Sequence, residues 1–313
     1  MQRVLPFCED AHMGTALDPH WLRETVARAL DEDLGGDPGR DVTTQSTVEP
    51  GETGVAHLVA RADGVVAGLG ATDEVLGQVA ARLQLASPLV ELNVTDGDRV
   101  HAGEVLGVIS GPVQVILIAE RTLLNLASRA SGIATHTRRW ADALQGTRAL
   151  VLDTRKTTPG LRELEKYAVR CGGGTNKRMG LYDVAMVKDN HIVAAGSVSA
   201  AIRAIRATFP EVTIQVEADT LDQALEAIRA GARFLLLDNM TTEALTETVA
   251  TVRLGELVTG KVELEATGNL TLARAAEVAA TGVDFMSVGA LTHSSPILDL
   301  ALDLVERSLP APS

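Results

Sequence analysis

The hydrophobic pattern first predicts a helix and then a set of short strands. The amphipathic stretch "DPHWLRETVARALDEDLGG" predicts a helix with Asp18 as its N-cap, Pro19 in its first turn and Gly35 at its end. Between residues 41 and 112, Val-rich runs are separated by Gly and Asp, which predicts strands. One helical pattern, residues 71–83, interrupts them. This part of the chain therefore predicts a small α+β unit.

A long helical pattern then leads into a regular alternation. Residues 113–144 keep helical periodicity, and six apolar runs follow, separated by amphipathic segments with a period of 3.6 residues. Runs that are apolar on both faces are typical of parallel strands covered by helices. The runs are "ALVLDT", "VAMVKD", "TIQVEA", "FLLLDN", "KVELEAT" and "DFMSVGA".

Two architectures fit this alternation, a (β/α) barrel and a doubly wound sheet. No GxGxxG motif follows the first of the six strands, which weighs against a dinucleotide-binding sheet. We therefore expect an α/β protein with a barrel that is complete or slightly open. In such a barrel the side chains at the C-terminal strand ends converge on one pocket.

Composition and charge narrow the function classes. The 313 residues carry a net charge of −13 and only 3% aromatic side chains, which argues against nucleic-acid binding. No apolar run approaches the roughly 18 residues of a membrane span, and the first twenty residues lack a signal-peptide core. Two cysteines indicate no disulfide framework. We expect a soluble cytoplasmic protein that binds neither nucleic acid nor membrane.

Within this acidic chain, residues 155–188 concentrate positive charge. They hold eight of the 28 lysines and arginines. Three of the eight lie four residues apart on one helix and are interpreted mainly as a solvated face, whereas the others lie at strand ends or in Gly-flanked loops. Such a cluster predicts a substrate with several negative charges. The eight are Arg155, Lys156, Arg162, Lys166, Arg170, Lys177, Arg178 and Lys188.

Carboxylates and glycines follow the later strands. Glu217, Asp238 and Glu265 are positioned to bind Mg²⁺, to contact sugar hydroxyls or to stabilise a cationic transition state. The glycine-containing stretches "ATGN" and "SVGALTHSS" follow the last two strands, where backbone N–H groups of barrels commonly hold a phosphate. The three groups together predict a phosphorylated sugar that reacts with an anionic partner.

Structural explanations compete at several of these positions. Asp153 and Asp238 follow strands, and an alternative role for each is the N-cap of the next helix. Gly172–Gly174 fits a helix C-cap and loop. Lys188, followed by "DNH", fits a solvated loop as well as a site. These alternatives stay open at the level of the residues.

Several long motifs resemble the quinolinate phosphoribosyltransferase family. They are "ERTLLNLASRASGIAT", "DTRKTTPGLRELEKYAVRCGGG", "NKRMGLYDVAMVKDNHI", "LLLDN" and "GVDFMSVGALTHSSPILDLALD". The resemblance implies an N-terminal α/β sandwich domain and an incomplete (β/α) barrel of the type II phosphoribosyltransferase kind. The implied domains are residues 1–126, joined by a C-terminal return at 291–313, and a catalytic barrel at 127–290.

The resemblance also implies a reaction and an assembly. The family transfers phosphoribosyl from phosphoribosyl pyrophosphate to quinolinate with decarboxylation, which yields nicotinate mononucleotide, pyrophosphate and CO₂ for NAD biosynthesis. Mg²⁺ is the implied cofactor. A homodimer with a shared active site, or a higher oligomer built from it, is the implied assembly.

Site residues carry over by position in the motifs. Arg155, Arg178 and Lys188 are expected to hold the quinolinate carboxylates, with Arg121 reaching in from the partner subunit and Lys177 as a further binding cation. Lys156 is expected to face phosphoribosyl pyrophosphate, and Glu217 and Asp238 the ribose and Mg²⁺; these three are the expected catalytic residues. The expected 5′-phosphate contacts are Thr267, Gly268, Gly289 and Ala290.

Two positions depart from the family pattern. Lys177 stands where the family usually has His, and a lysine keeps a cation but does not shuttle protons near neutral pH as imidazole does. The stretch "EATGN" replaces the more usual Ser-Gly-Gly of the phosphate loop. Binding through Lys177 is therefore expected without an acid–base role.

Three other functions compete with this interpretation. A related class associated with molybdenum transport shares much of the scaffold, but the intact "KDNH" argues against it. A Schiff-base aldolase would use Lys188 as its amine, but it leaves the surplus of arginines unexplained. The stretch "VTDGDRVHAGEVLGVISG" is similar to a biotinyl or lipoyl carrier half-repeat, yet it contains no lysine to modify.

Overall fold

The computed structural model describes residues 16–308, which divide into two units. The predicted domain boundary at residue 126 is not tested by this division and stays a prediction. Cys8 and the start of the predicted first domain lie outside the described residues. We call the two units the sandwich unit (residues 16–136, 159–173 and 295–308) and the barrel unit (Thr137–Thr158 and Gly174–Ser294).

Helices account for most of the chain between the strands, and the long ones follow the predicted patterns. Their bounds are Pro19–Leu34 (α1), Thr44–Thr47 (α2), Ala71–Leu83 (α3), Val113–Ala143 (α4), Arg162–Cys171 (α5), Asp189–Ala195 (α6), Val198–Thr208 (α7), Leu221–Arg229 (α8), Thr242–Thr259 (α9), Ala275–Ala280 (α10) and Ala290–His293 (α11).

The strands fall into three sheets. Their bounds are Thr53–Ala60 (β1), Gly64–Val65 (β2), Leu89–Leu92 (β3), Arg99–Val100 (β4), Val105–Pro112 (β5), Leu150–Leu152 (β6), Val184–Val187 (β7), Thr213–Ala218 (β8), Phe234–Asp238 (β9), Glu263–Thr267 (β10), Phe285–Ser287 (β11) and Leu300–Ser308 (β12).

The first helix begins and ends as its sequence predicts. The Asp18 carboxylate accepts a hydrogen bond of 2.7 Å from the Trp21 backbone N–H, and Pro19 occupies the first turn. Gly35 ends the helix with a φ of 76°, a left-handed conformation that glycine adopts without steric cost, and its N–H donates to Asp31. Local capping residues therefore set both ends.

The sandwich unit is built on a four-stranded antiparallel sheet in the order β12-β1-β5-β3. The last strand pairs with the first, from Ala60 opposite Leu300 to Thr53 opposite Ser308. The last described strand therefore lies in the same sheet as the first one, and the implied C-terminal return at 291–313 stays a prediction. Strand β5 lies centrally between β1 and β3.

Helix α5 belongs to the sandwich unit, and it corrects one expectation about charge. The pattern placed Arg162, Lys166 and Arg170 on a solvated face, but Lys166 is fully buried. Its neighbour Glu165 is also buried and forms an ion pair of 2.8 Å with Arg129. Two consecutive charged residues, Glu165 and Lys166, are therefore buried. The spacing of charges along the sequence does not predict this burial.

The barrel unit contains a six-stranded sheet in the order β6-β11-β10-β9-β8-β7, and all of its pairs are parallel. Among residues 16–308, β6 and β7 do not pair, so the barrel is open between its first and second strands. Beside β6, the Thr175 N–H donates to Val151 and the Asp153 N–H donates to Thr175. The segment before β7 thus extends the sheet at this edge.

Apolar side chains fill the barrel interior. Leu152, Phe234, Leu236 and Phe285 form its buried cluster. The two phenylalanine rings stack with centroids 5.6 Å apart and planes inclined by 11°. Because the next inward positions along the same strands are polar, this cluster forms the base under the strand ends.

Charges at the opposite end of the barrel are used to hold the fold. Asp284 is fully buried just before β11, and it pairs with Arg148 at 2.7 Å and Arg253 at 2.6 Å. It also accepts the Leu264 N–H at 2.9 Å. Such a network ties three segments together, as expected for the N-terminal end of barrel strands.

Between residues 16 and 308, no helix is both long and apolar enough to cross a bilayer.

Candidate active site

A cavity of about 520 Å³ opens at the C-terminal ends of the barrel strands. This size is ordinary for small-molecule sites. Every predicted site residue of the barrel unit except Gly289 and Ala290 lines it. The lining comprises Thr154, Arg155, Lys156, Lys177, Arg178, Met186, Lys188, Glu217, Leu236, Asp238, Asn239, Glu265, Thr267, Gly268, Asn269 and Ser287.

Asp153, at the end of β6, anchors one wall of the cavity. It is fully buried and accepts hydrogen bonds from the Lys177 N–H, at 2.8 Å, and from the Asn176 side-chain amide. The residue before helix α5 is Leu161, so Asp153 is not an N-cap. Its carboxylate instead fixes the backbone that carries Lys177 and Arg178.

Lys177 lies at the floor of the cavity in a buried ion pair. Its Nζ is 2.7 Å from a Glu265 carboxylate oxygen, and it lies 5.9 Å from the centroid of the Phe234 ring. Burial lowers the pKa of Lys177, and the positive charges of Arg178 and Lys188 act in the same direction, against the attraction of Glu265. Glu265 is thus the group that opposes the effect of burial on Lys177.

Arg178 and Arg155 place two guanidinium groups in the same cavity. Arg178 donates to the Val184 carbonyl at 2.9 Å and contacts the Met186 sulfur at 3.5 Å. The pKa of Arg178 is lowered, first by burial and then by the positive charge of Arg155. The repulsion between like charges in one cavity is relieved by a bound anion, so this wall fits a carboxylate or a phosphate.

Lys188 follows β7 and begins the short helix α6. Its backbone N–H donates to His191 Nδ1 at 3.0 Å, and its Nζ is 2.6 Å from Glu217 Oε2. Lys188 therefore begins a helix and not a loop, and its half-exposed side chain crosses to the next strand and lines the cavity. The pair joins the cationic wall to the acidic one.

Glu217 and Asp238 form the acidic wall at the ends of β8 and β9. The pKa of Asp238 is raised, first by burial and then by the negative charge of Glu217. Helix α9 is capped by Thr241, whose hydroxyl accepts the Ala244 N–H at 3.2 Å, so Asp238 is not an N-cap. Two oxygen ligands of like charge therefore face the same space.

Two glycines follow strands at the cavity rim. Gly268 has a φ of 86°, and a Cβ there would lie 2.2 Å from Asn239 Oδ1. A side chain at this position would strain the backbone and displace the Asn239 amide. At Gly289, a Cβ would lie 3.0 Å from the Lys156 Cδ atom, so this residue and its neighbour Ala290 adjoin the lysine outside the cavity lining.

Arg121 is the predicted site residue that lies apart from the others. It is exposed on α4 in the sandwich unit, where it lines a different cavity with Arg40, Leu117 and Ile118. Because the structure contains a single chain, the role of Arg121 in the active site of a partner subunit stays a prediction.

Four polar lining residues were missed by the sequence reasoning, and they are Thr154, Asn239, Asn269 and Ser287. The Ser287 hydroxyl is buried and has no hydrogen-bond partner among the described residues. A bound ligand would supply the missing partner. Asn239 and Asn269 both have positive φ values, 54° and 47°. The available signal for Asn239 was an asparagine directly after a strand, and the signal for Asn269 was an asparagine directly after a glycine.

Comparisons with known proteins agree over nearly the whole chain. Family models described as the N-terminal and C-terminal domains of quinolinate phosphoribosyl transferase match residues 41–131 and 133–303. The nicotinate-nucleotide pyrophosphorylase (carboxylating) of Mycobacterium leprae is 46% identical over 286 residues, which are 90% of this chain and 96% of that protein.

A plant enzyme and a solved structure extend the comparison. Quinolinate phosphoribosyltransferase (decarboxylating) 1 of Nicotiana glauca is 39% identical over 296 residues, covering 90% of this chain and 82% of the relative. The structure of nicotinate-nucleotide pyrophosphorylase from Francisella tularensis has a TM-score of 0.83 at 33% identity and covers 93% of this chain and 98% of that one.

Proposed function

This chain belongs to the quinolinate phosphoribosyltransferase family, and we propose that the cavity at the barrel strand ends is its active site. The enzyme transfers phosphoribosyl from phosphoribosyl pyrophosphate to quinolinate, with loss of CO₂, and forms nicotinate mononucleotide and pyrophosphate. The observation that carries the location is the division of one cavity into a cationic wall and an acidic wall.

The cationic wall would bind the quinolinate dianion. Arg155 and Arg178 each offer a planar fork that matches a carboxylate, and Lys188 offers a compact charge. The mutual repulsion of the two arginines is relieved when the dianion binds. Lys177, committed to Glu265, would support these groups from the floor and contribute positive potential.

The rim would hold the second substrate. Lys156 is exposed beside Gly289, where it can reach a phosphate. Thr267, Gly268, Gly289 and Ala290 would direct hydroxyl and backbone N–H groups at the 5′-phosphate, because turns without a bulky side chain let the backbone approach it. The two substrates would then meet between the walls.

The acidic wall would act on the reacting ribose. As the pyridine nitrogen attacks the anomeric carbon and pyrophosphate leaves, positive charge develops on the sugar. Glu217 and Asp238 would stabilise that charge, and their own mutual repulsion would fall as it forms. The ring nitrogen of the product is positively charged and takes up the electron pair when the 2-carboxylate departs. No covalent nucleophile is needed.

The same carboxylates fit Mg²⁺ held jointly with a substrate. Within residues 16–308, no group of three or more His, Cys, Asp or Glu side chains is arranged to hold a metal alone. Mg²⁺ is commonly bound by one or two carboxylates together with substrate phosphates, and Glu217 and Asp238 supply such a pair. When bound, the ion would neutralise charge on the pyrophosphate leaving group.

A shared active site in a cytoplasmic homodimer completes the proposal. Arg121 is exposed and outside the cavity lining of its own chain, which suits a residue that serves a partner's quinolinate site. Mixing inactive Arg121→Ala and Arg155→Ala chains should restore about a quarter of wild-type activity, since half of the dimers would be mixed and carry one intact site. If subunit exchange is verified and no activity returns, Arg121 does not serve the active site of the partner subunit.

One assay tests the reaction itself. Purified protein is incubated with phosphoribosyl pyrophosphate, Mg²⁺ and either quinolinate or nicotinate, and the nucleotide product is measured. Quinolinate should be converted, whereas nicotinate lacks the 2-carboxylate and leaves desolvated cations unpaired, at a cost of roughly several kcal/mol. Comparable turnover of both acids would sink the proposal.

A further inference from the structure

Two asparagines at the acidic wall are held in an uncommon backbone conformation. Asn239 follows β9 and Asn269 lies just beyond β10, with φ values of 54° and 47°. Residues other than glycine rarely adopt this region, and asparagine tolerates it best. Both side chains line the active-site cavity, so their directions matter to whatever binds there.

The two side chains form a hydrogen-bonded line that ends on a carboxylate. Asn269 Nδ2 donates to Asn239 Oδ1 at 3.0 Å, and Asn239 Nδ2 donates to Asp238 Oδ2 at 2.8 Å. The Asn239 backbone N–H also donates to the Thr267 carbonyl at 3.0 Å. Adjacent strands are thus linked through this pair.

Glycine at position 268 makes room for the line. A Cβ there would lie 2.2 Å from Asn239 Oδ1 and 2.9 Å from Asp238 Oδ1. The Asn239 amide therefore lies close to the Gly268 backbone on one side.

Turning the Asn239 amide over would have an electrostatic consequence. An amide has a donor end and an acceptor end, and the reversed amide would point its oxygen at the Asp238 carboxylate. In the orientation present in the structure, the Asn269 NH₂ group donates to the Asn239 amide oxygen. In the reversed orientation, the Asn269 NH₂ group would face the Asn239 NH₂ group, and no hydrogen bond would form between the two donors. Asn269 thereby selects the orientation that supports Asp238.

We infer that Asn269 is a positioning residue for the transfer reaction. By donating to Asn239, it keeps the Asn239 NH₂ group directed at Asp238 and holds that carboxylate where the reacting ribose is bound. This inference rests on the proposed function, because that function gives Asp238 its role.

Two substitutions distinguish the effect of the Asn269 side-chain hydrogen bond from the effect of its backbone conformation. Asn269→Gly removes the donor and suits the positive φ, so the fold is retained. Asn269→Asp keeps the shape but replaces the donor by a carboxylate, which attracts the Asn239 NH₂ group and favours the reversed amide. The matched control is Gln84→Gly, since Gln84 has a φ of 56° at the end of α3 in the sandwich unit.

Two readouts are measured for each variant. One is kcat and KM for both substrates, and the other is the Asn239–Asp238 contact in a crystal structure of the substrate-free protein. We expect Asn269→Gly to lower kcat about 3- to 10-fold and Asn269→Asp about 30-fold or more. The KM for quinolinate should stay within about twofold of wild type, because the cationic wall is untouched. Gln84→Gly should match wild type.

In the crystal structure of Asn269→Asp, the Asn239 Nδ2 to Asp238 Oδ2 distance should exceed about 3.5 Å, the limit for a hydrogen bond. Kinetics of both Asn269 variants within twofold of wild type, or an unchanged contact in Asn269→Asp, would overturn the inference. If the wild-type protein makes no nicotinate mononucleotide, the proposed function fails, and the crystallographic comparison still decides the role of Asn269 toward Asp238.

Discussion

Two lysine–glutamate pairs in the same cavity have nearly equal lengths but different surroundings. Lys177 and Glu265 lie 2.7 Å apart, with side chains 6% and 0% exposed. Lys188 and Glu217 lie 2.6 Å apart, with side chains 47% and 13% exposed. The two pairs therefore differ in interaction energy although their distances are nearly equal, because the cost of separating two charges depends on their access to water.

The difference assigns the pairs different tasks. Opening the buried pair would leave a charge in a dry interior, so it stays closed and shapes the floor. In the exposed pair, water already reaches Lys188. Under the proposed function, a substrate carboxylate would therefore replace Glu217 at small cost, and Glu217 would then face the ribose. The buried pair would be structural, and the exposed pair would exchange partners.

The largest expected effect comes from breaking the buried pair on one side. Lys177→Met should lower the free energy of unfolding by about 3–5 kcal/mol, because Glu265 is left buried and unpaired. Denaturant unfolding at neutral pH measures it. The double variant Lys177→Met/Glu265→Leu should recover most of the loss, since apolar replacement of a buried pair is often neutral. A loss below about 1 kcal/mol in the single variant would contradict a structural role.

Removing the exposed lysine should affect activity and spare stability. Lys188→Met should change the free energy of unfolding by less than about 1 kcal/mol. It should lower kcat/KM about 30- to 5,000-fold, because a cation for a desolvated substrate carboxylate is lost.

Lys188→Arg is the control for charge, and it should retain measurable quinolinate binding. Borohydride should trap no adduct on Lys188 with a carbonyl compound. A trapped adduct would instead favour the aldolase chemistry.

The smallest effect concerns the carboxylate next to the exposed pair. The folded pKa of Asp238 lies above its ordinary value of 3.8, so the folded state binds more protons between the two values and loses stability as pH rises through them. Asp238→Asn should therefore stabilise the metal-free protein at pH 7, by less than about 1 kcal/mol after solvent screening. The gain should vanish below about pH 3.8. Thermal unfolding at both pH values checks this, and a destabilised variant at pH 7 would count against repulsion from Glu217.

Sequence patterns were sufficient for most of the fold. The alternation of apolar runs predicted all six strands of the barrel sheet, because strands buried on both faces leave a clear signal. Strand β12 was not assigned from its pattern, since its register is set by pairing with β1 on the other side of the sequence. The gap between β6 and β7 was not predicted either, because it depends on which strands pair and not on the sequence of either strand.

The residues of the site were easier to predict than their partners. Motif positions identified Arg155, Arg178, Lys188, Glu217 and Asp238, and the structure places them in one cavity. The commitment of one lysine to a buried carboxylate depends on a contact between residues 88 positions apart. The positive φ values of Asn239 and Asn269 also depend on the folded geometry. Neither the ion pair nor these backbone conformations can be predicted from the spacing of residues in the sequence.

The most direct test is a crystal structure of the protein with quinolinate bound. The account predicts Lys188 Nζ within about 3.2 Å of a quinolinate carboxylate oxygen and withdrawn from Glu217, with Arg155 and Arg178 on the same ligand. Lys177 should remain on Glu265 at its present distance of 2.7 Å. A carboxylate bound to Lys177 with Glu265 displaced, or quinolinate bound outside this cavity, would contradict the account.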